Sequence, residues 1–142
     1  MTGAGQEHIE RVLEIIKETE RDGLLTDRRE DGLSGISGLK TVGVLQRLAK
    51  QFTAEVDACY LEIGVFQGLT LVSTALEGPD MPCFGVDNFA TLDPKGENKK
   101  IATERLDRFG AANATIIDSD FEVALRGLDA ILDGRKIAVY FV

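Results

Sequence analysis

Beyond Asp57 the sequence repeats one pattern: a short apolar run, a glycine or acidic stop, then a stretch with helical spacing. The apolar runs are Ala58–Ile63, Pro82–Val86, Ala114–Ile117 and Lys136–Val142. They are short and nearly unbroken, as expected of strands buried on both faces. Between them, Leu69–Leu76, Glu97–Phe109 and a stretch through Phe121, Ala124, Leu125, Leu128 and Leu132 carry apolar residues at helical intervals. Gly110 stands as the C-terminal cap of the second of these and Gly134 as the stop of the third. Strand and helix alternating in this order predict parallel βαβ units with right-handed crossovers, so the fold class is α/β.

The residues before Asp57 read differently. Ile9, Val12, Leu13 and Ile16 predict an amphipathic helix over Gln6–Thr19, closed by Asp22-Gly23. A polar stretch through Arg28–Asp31 and a Gly/Ser-rich segment, Gly32–Gly38, form a loop offering serines as helix caps. Leu39, Val42, Leu45, Leu48 and Phe52 then mark a second helix ending near Gln51. The chain thus divides into N-terminal helices and loop, 1–56, and a sheet-forming part, 57–142. A Rossmann-like sheet grows both ways from its first strand, so the fourth strand is expected on the side away from the second. The sequence stops inside that strand. The expectation is a fragment of a longer protein, or an apolar edge completed by self-association.

Composition removes several classes of function. A chain of 142 residues suits one core, and 44% apolar with 28% charged residues is too apolar for disorder. No apolar run is long enough for a transmembrane helix, and the N-terminus lacks a signal peptide's basic start and apolar run, so a cytoplasmic protein with no membrane partner is expected. The net charge of −8 repels phosphate backbones, which argues against nucleic acid as a partner. Cys59 and Cys83 read as buried, reduced thiols. With His8 as the lone histidine, neither a histidine-dependent triad nor a two-histidine metal site is expected.

The segment that carries chemistry is Tyr60–Thr70, read as a strand, a glycine turn and a helix start. Within Glu62-Ile63-Gly64-Val65-Phe66-Gln67-Gly68, Gly64 lets the backbone turn and approach a ligand, and Gly68 lets the next helix pack close. Glu62 is expected to support the turn or accept hydrogen bonds from a ligand. Ligands of open α/β sheets bind beyond the carboxyl ends of the strands, where this turn lies. Asp87, with Asn88, ends the second strand, and a carboxylate there can hold both hydroxyls of a ribose. Asp118-Ser119-Asp120 ends the third strand, placed to accept from an adenine amino group, although Asp120 equally suits the N-cap of the next helix. A nicotinamide dinucleotide site asks for G-x-G-x-x-G. Here Phe66 occupies the second glycine position and would obstruct a pyrophosphate, which favours S-adenosylmethionine, a cofactor without phosphate.

Glu62-x-Gly64-x-x-x-Gly68, Asp87 and Ile116-Ile117-Asp118-Ser119-Asp120 together resemble the first three motifs of class I S-adenosylmethionine-dependent methyltransferases. The leading helices and the phrase Tyr60–Gly68 resemble the small-molecule group that includes sugar and antibiotic O-methyltransferases. The resemblance covers about residues 33–142, the first half of the family's seven-stranded sheet. It implies a methyltransferase acting on a small molecule, at oxygen, with cofactor residues Glu62, Gly64, Val65, Phe66, Gly68, Asp87, Asn88, Asp118, Ser119 and Asp120. Catalytic and metal-binding groups of the family follow the fourth strand, so no catalytic residue is carried over, and a divalent metal is expected only through residues beyond this chain. The rival readings are a nicotinamide-dependent oxidoreductase and a non-catalytic domain assembling through its open edge. Lys95, Lys99, Lys100, Arg105 and Arg108 form a basic patch, read as a solvated helix face or a guide for acidic substrates. Phe89–Asn98 is a lid or an ordinary loop, and Gly32–Gly38 a connector or a cover for the methionine end of the cofactor.

Overall fold

A computed structural model describes residues 3–142. The helices α1 (Gly3–Asp22) and α2 (Leu39–Phe52) precede β1 (Ala58–Ile63), α3 (Leu69–Glu77), β2 (Cys83–Asp87), α4 (Asn98–Phe109), β3 (Ala114–Asp118), α5 (Phe121–Arg126), α6 (Leu128–Leu132) and β4 (Lys136–Phe141). All strand pairs are parallel, in the order β3-β2-β1-β4, so β1 is central and β4 lies on its far side from β2. This is a Rossmann-like α/β sheet flanked by helices. The register between β1 and β4 shifts at Cys59/Tyr60, leaving Ala138 as the extra residue of a bulge. Among the described residues, no helix is long and apolar enough to cross a membrane.

The main core lies between the sheet and α2, α3 and α4, around Leu45, Ala49, Tyr60, Leu71, Ala75, Cys83 and Ala102. A smaller cluster on the other face packs Leu61 and Val86 against Ala124, with Leu128 and Ile131 beside them. The helix expected through Phe121–Leu132 is two short helices, broken at Gly127. Both cysteines are free and buried. Burial pushes the Cys83 thiol up to about 12, so it stays protonated.

Three expectations about the leading helices change. α1 runs from Gly3 to Asp22, longer than Gln6–Thr19. Its buried residues are Ile15 and Thr19, while Ile9, Leu13 and Ile16 of the apolar stripe remain substantially exposed. The cause is the contact with α2. A Cβ on Gly43 would lie 2.7 Å from Thr19 Cγ2, and buried Arg47 donates from Nη1 to Thr19 Oγ1, Gly23 O and Gly43 O. These contacts rotate the Thr19 side of α1 inward. Lastly, no serine caps α2: its N-cap is Gly38, without a side-chain bond. The connector is held instead by Gln46, which accepts from Leu25 N and donates to Thr26 O.

Candidate functional site

The turn between β1 and α3 sits at the carboxyl end of the central strand. Gly64 and Gly68 have φ of +95° and +87°, in the left-handed region that suits glycine. Between them Phe66 also adopts positive φ, +53°, a conformation costing a non-glycine residue about 1–2 kcal/mol. Asp87 explains how it persists. Its Oδ2 accepts from Val65 N and Phe66 N, both at 2.9 Å, and its Oδ1 accepts from Phe89 N at 2.8 Å. Hydrogen bonds to a charged acceptor contribute about 1.5–3 kcal/mol each, enough to offset the backbone strain. From below, Val65 is buried over β2, where a Cβ on Gly85 would come within 2.7 Å of Val65 Cγ2.

These bonds change the part expected of Asp87. A carboxylate has about four acceptor positions, and three hydrogen bonds from the backbone already reach this one. The carboxylate sets the shape of the turn first, and the remaining capacity at Oδ1 is what it can offer a hydroxyl. Sequence reading foresaw an acid here but not its bonds to the turn.

Glu62 lies beneath the turn, fully buried. Tyr60 Oη donates to its Oε1 at 2.7 Å, and Oε2 has no hydrogen-bond partner. Burial is the main cause pushing the carboxyl up from 4.5 to about 7, opposed first by the Tyr60 hydroxyl and then by the neighbouring Thr70 hydroxyl, which makes no hydrogen bond to it, and reinforced by the charge of Asp87. The Tyr60 hydroxyl is itself pushed well above its ordinary value, chiefly by burial. The one hydrogen bond of Glu62 runs back along β1 to Tyr60, and Glu62 is not among the residues lining the cleft at this end of the sheet.

The third-strand acids are committed elsewhere. Asp118 pairs with Lys99 at 2.7 Å, and Asp120 Oδ1 accepts from Glu122 N and Val123 N as the N-cap of α5. Ser119 N donates to Asp87 O, fastening β3's end to β2's end. Asn88 Oδ1 accepts from Ala90 N, shaping the loop. Asp118 stands opposite Asp87 in the β2–β3 register, so the acidic strand ends are brought side by side, as the motif order implied.

A cleft of about 200 Å³ opens at this end of the sheet. One wall is Gly64, Val65 and Phe66, continued by Leu69 and Thr70; a second is Gly35, Ile36 and Ser37, and Ile63, Phe141 and Val142 complete the lining. The Gly/Ser-rich segment is therefore a wall of the cleft as well as a connector. Gly35 is needed there, since a Cβ would lie 2.9 Å from Leu69 Cβ. Arg105 donates from Nη1 to Ser34 O and Gln67 O, both at 2.8 Å, and from Nη2 to Gly32 O at 3.1 Å, while Arg108 donates to Asp31 O. The basic patch accordingly divides. Arg105 and Arg108 serve the Gly/Ser segment, Lys99 and Lys100 pair with Asp118 and Glu104, and Lys95 is exposed. Nothing in the sequence marks backbone carbonyls as arginine acceptors, so this role was missed.

The loop Phe89–Asn98 is fastened at its C-terminal side. Asp93 Oδ1 accepts from Glu97 N and Asn98 N, and buried Asn98 donates to Leu92 O and accepts from Gln67 Nε2. Asn98 thereby joins this loop to the glycine turn. Among the described residues, no group of three or more His, Cys, Asp or Glu side chains is gathered to hold a metal.

No protein-family model matches the chain, and no curated protein matches its sequence. Among solved structures it is similar to the O-methyltransferase TomG from Streptomyces achromogenes, involved in tomaymycin synthesis and crystallised in complex with SAM. The TM-score is 0.55 at 19% identity, and the match covers 81% of this chain and 52% of that one. The chain thus spans about half the length of that enzyme. The likeness shows the fold: a Rossmann-like α/β sheet shared with an S-adenosylmethionine-dependent O-methyltransferase.

Proposed function

We propose that this chain binds S-adenosylmethionine and forms the cofactor-binding part of a methyltransferase acting on a small molecule, at oxygen. One observation carries the choice of cofactor: the Val65 and Phe66 N–H groups at the turn are bonded to the Asp87 carboxylate. A dinucleotide's pyrophosphate seeks free N–H groups at such a turn. Here it would meet a negative charge and the Phe66 side chain. A cofactor with a cationic sulfonium and no phosphate suits the same surface.

The residues fit such a group. A Cβ built on Gly64 meets nothing within 4 Å, so the glycine leaves open space at the cleft for a ligand's close approach. Asp87 retains acceptor capacity for a ribose hydroxyl. Gly35–Ser37 closes the side where the resemblance expects the methionine end. When bound, the cofactor supplies a methyl group on a positively charged sulfur, open to in-line attack. The chain's own part is to bind and orient, which is where much of a bimolecular transfer's acceleration originates.

Calorimetric titration with S-adenosylhomocysteine and with NAD tests this reading. The expected result is binding of the first alone. Binding of NAD alone would transfer the proposal to a nicotinamide-dependent oxidoreductase. Assembly through β4 is the further proposal about partners, favoured by exposed Ile137 and Tyr140 on that strand and by a groove of about 400 Å³ lined by Ile16, Val44, Leu48, Val139, Tyr140 and Phe141.

A further inference from the structure

Arg105 is the one side chain whose hydrogen bonds join both walls of the cleft, among the described residues. Ser34, which accepts from its Nη1, directly precedes Gly35-Ile36-Ser37, and Gln67, which accepts from the same nitrogen, directly follows Gly64-Val65-Phe66. Nη2 reaches Gly32 O, so one planar guanidinium fixes three carbonyls on two separate stretches of chain. Arg108 adds a bond to Asp31 O. The side chain of Arg105 belongs to α4, which starts beside the Asn98–Gln67 bond and is thereby referenced to the glycine turn. Among the described residues neither arginine has a carboxylate partner in an ion pair, and the hydrogen bonds they make all go to backbone carbonyls.

We propose that Arg105 is a positioning residue: it holds the Gly32–Ser37 wall at a fixed distance from the glycine turn and so sets how tightly the cleft grips its ligand. The ligand part of this inference rests on the cofactor reading above; the clamp itself rests on geometry alone. The rest of the Gly32–Ser37 wall is lightly held. Ile36 is 71% exposed and Leu33 is its one fully buried side chain, so releasing the guanidinium frees most of it. Lysine at this position keeps the charge but is a single point donor on a flexible stem and cannot span three carbonyls in a plane.

The experiment compares the full chain with Arg105→Lys and Arg108→Lys by hydrogen exchange and by titration with S-adenosylhomocysteine at two salt concentrations. Arg105→Lys is expected to speed exchange of the Gly32 and Leu33 amides, which donate to Arg29 O and Arg28 O, by about tenfold, the loss of one or more bonds at about 1 kcal/mol each. Amides of β1 and α4 keep their wild-type rates. Ligand affinity falls by about tenfold, with an unchanged salt dependence because the charge is retained. Arg108→Lys, which touches one wall only, is expected to change affinity less than about threefold by the same reckoning. Unchanged exchange at Gly32 and Leu33 in Arg105→Lys overturns the clamp. Faster exchange with unchanged affinity overturns its control of the ligand. If the wild-type chain binds no S-adenosylhomocysteine, the cofactor reading falls while the exchange rates still decide the clamp. Should Arg105→Lys unfold, Arg105→Met, which keeps the aliphatic stem, takes its place under the same criteria.

Discussion

Glu62→Gln should remove a specific pH dependence from the protein's stability. In the folded chain the Glu62 carboxyl is buried with one oxygen unpartnered, and its midpoint is pushed from 4.5 up to about 7. Between those values the folded state holds a proton that the unfolded chain has released. Stability therefore falls as pH rises through that window, and is level again above it. At about 1.4 kcal/mol per pH unit, the loss amounts to about 3 kcal/mol. Glutamine has the shape of the neutral carboxyl, keeps an oxygen for the Tyr60 hydroxyl, and does not titrate. Its amide places an N–H where Oε2 is unpartnered, which adds a pH-independent cost of about 1–3 kcal/mol. The informative quantity is thus the slope, not the offset. Urea unfolding of both proteins, followed by circular dichroism between about pH 5 and pH 8, should show wild type losing about 2.5 kcal/mol more than the variant, since part of the loss is already complete at the lower end. Asp27, held down to about 2 by Arg29, titrates outside that window and does not confuse the difference. Parallel curves for the two proteins would refute the reasoning, because Glu62 would then ionise in the fold as it does in water.

Asp87→Asn replaces an acceptor of three backbone bonds by an amide with one oxygen, and should cost about 2–4 kcal/mol in denaturant unfolding. The same variant should weaken S-adenosylhomocysteine binding by more than about tenfold in calorimetry, since it disturbs the turn's shape. Asp120→Ala removes the α5 cap and should cost about 1 kcal/mol of stability while leaving that affinity unchanged; a large loss of affinity would instead support the adenine-binding role read from the sequence. Tyr140→Glu places a charge on a 53% exposed position of the edge strand, and sedimentation should show self-association reduced at equal concentration; a wild-type chain that sediments as a monomer at all concentrations would end the assembly proposal.

The sheet was legible because its signals are local. β1 has the expected bounds, Ala58–Ile63, since an apolar run between Asp57 and Gly64 leaves little choice of period or end. The place of β4 beside β1 followed from the way such sheets grow, not from any residue in it. What stayed hidden depends on groups that carry no side-chain signature. The Asp87 acceptor role involves backbone N–H groups, and the Arg105 role backbone carbonyls, so Asp87 reads from the sequence as an acceptor for a ligand and Arg105 as one charge of a basic patch. The face of α1 was misread for a related reason. Ile9, Leu13 and Ile16 make the better apolar stripe, but Gly43 and Arg47, far along the chain, decide that Thr19 turns inward. Gly127, inside an otherwise helical pattern, divides α5 from α6, a break that propensity alone leaves open.

The clasp of Asp87 on the glycine turn has a consequence for selectivity. A turn whose strained residue is already bonded in the folded chain is preorganised, so a ligand loses no affinity to ordering it. The opposite wall, Gly35–Ser37, is held by its neighbours: the carbonyls of Asp31, Gly32 and Ser34 accept from two arginines, and Gly35 lies close against Leu69. One side is thus braced from within its own turn, and the other through side chains of α4. Under the proposed cofactor reading, ligands sharing a nucleoside would meet the same template on the first side, and differences in their residence time would arise at the second, where the clamp sets the space left for the rest of each molecule.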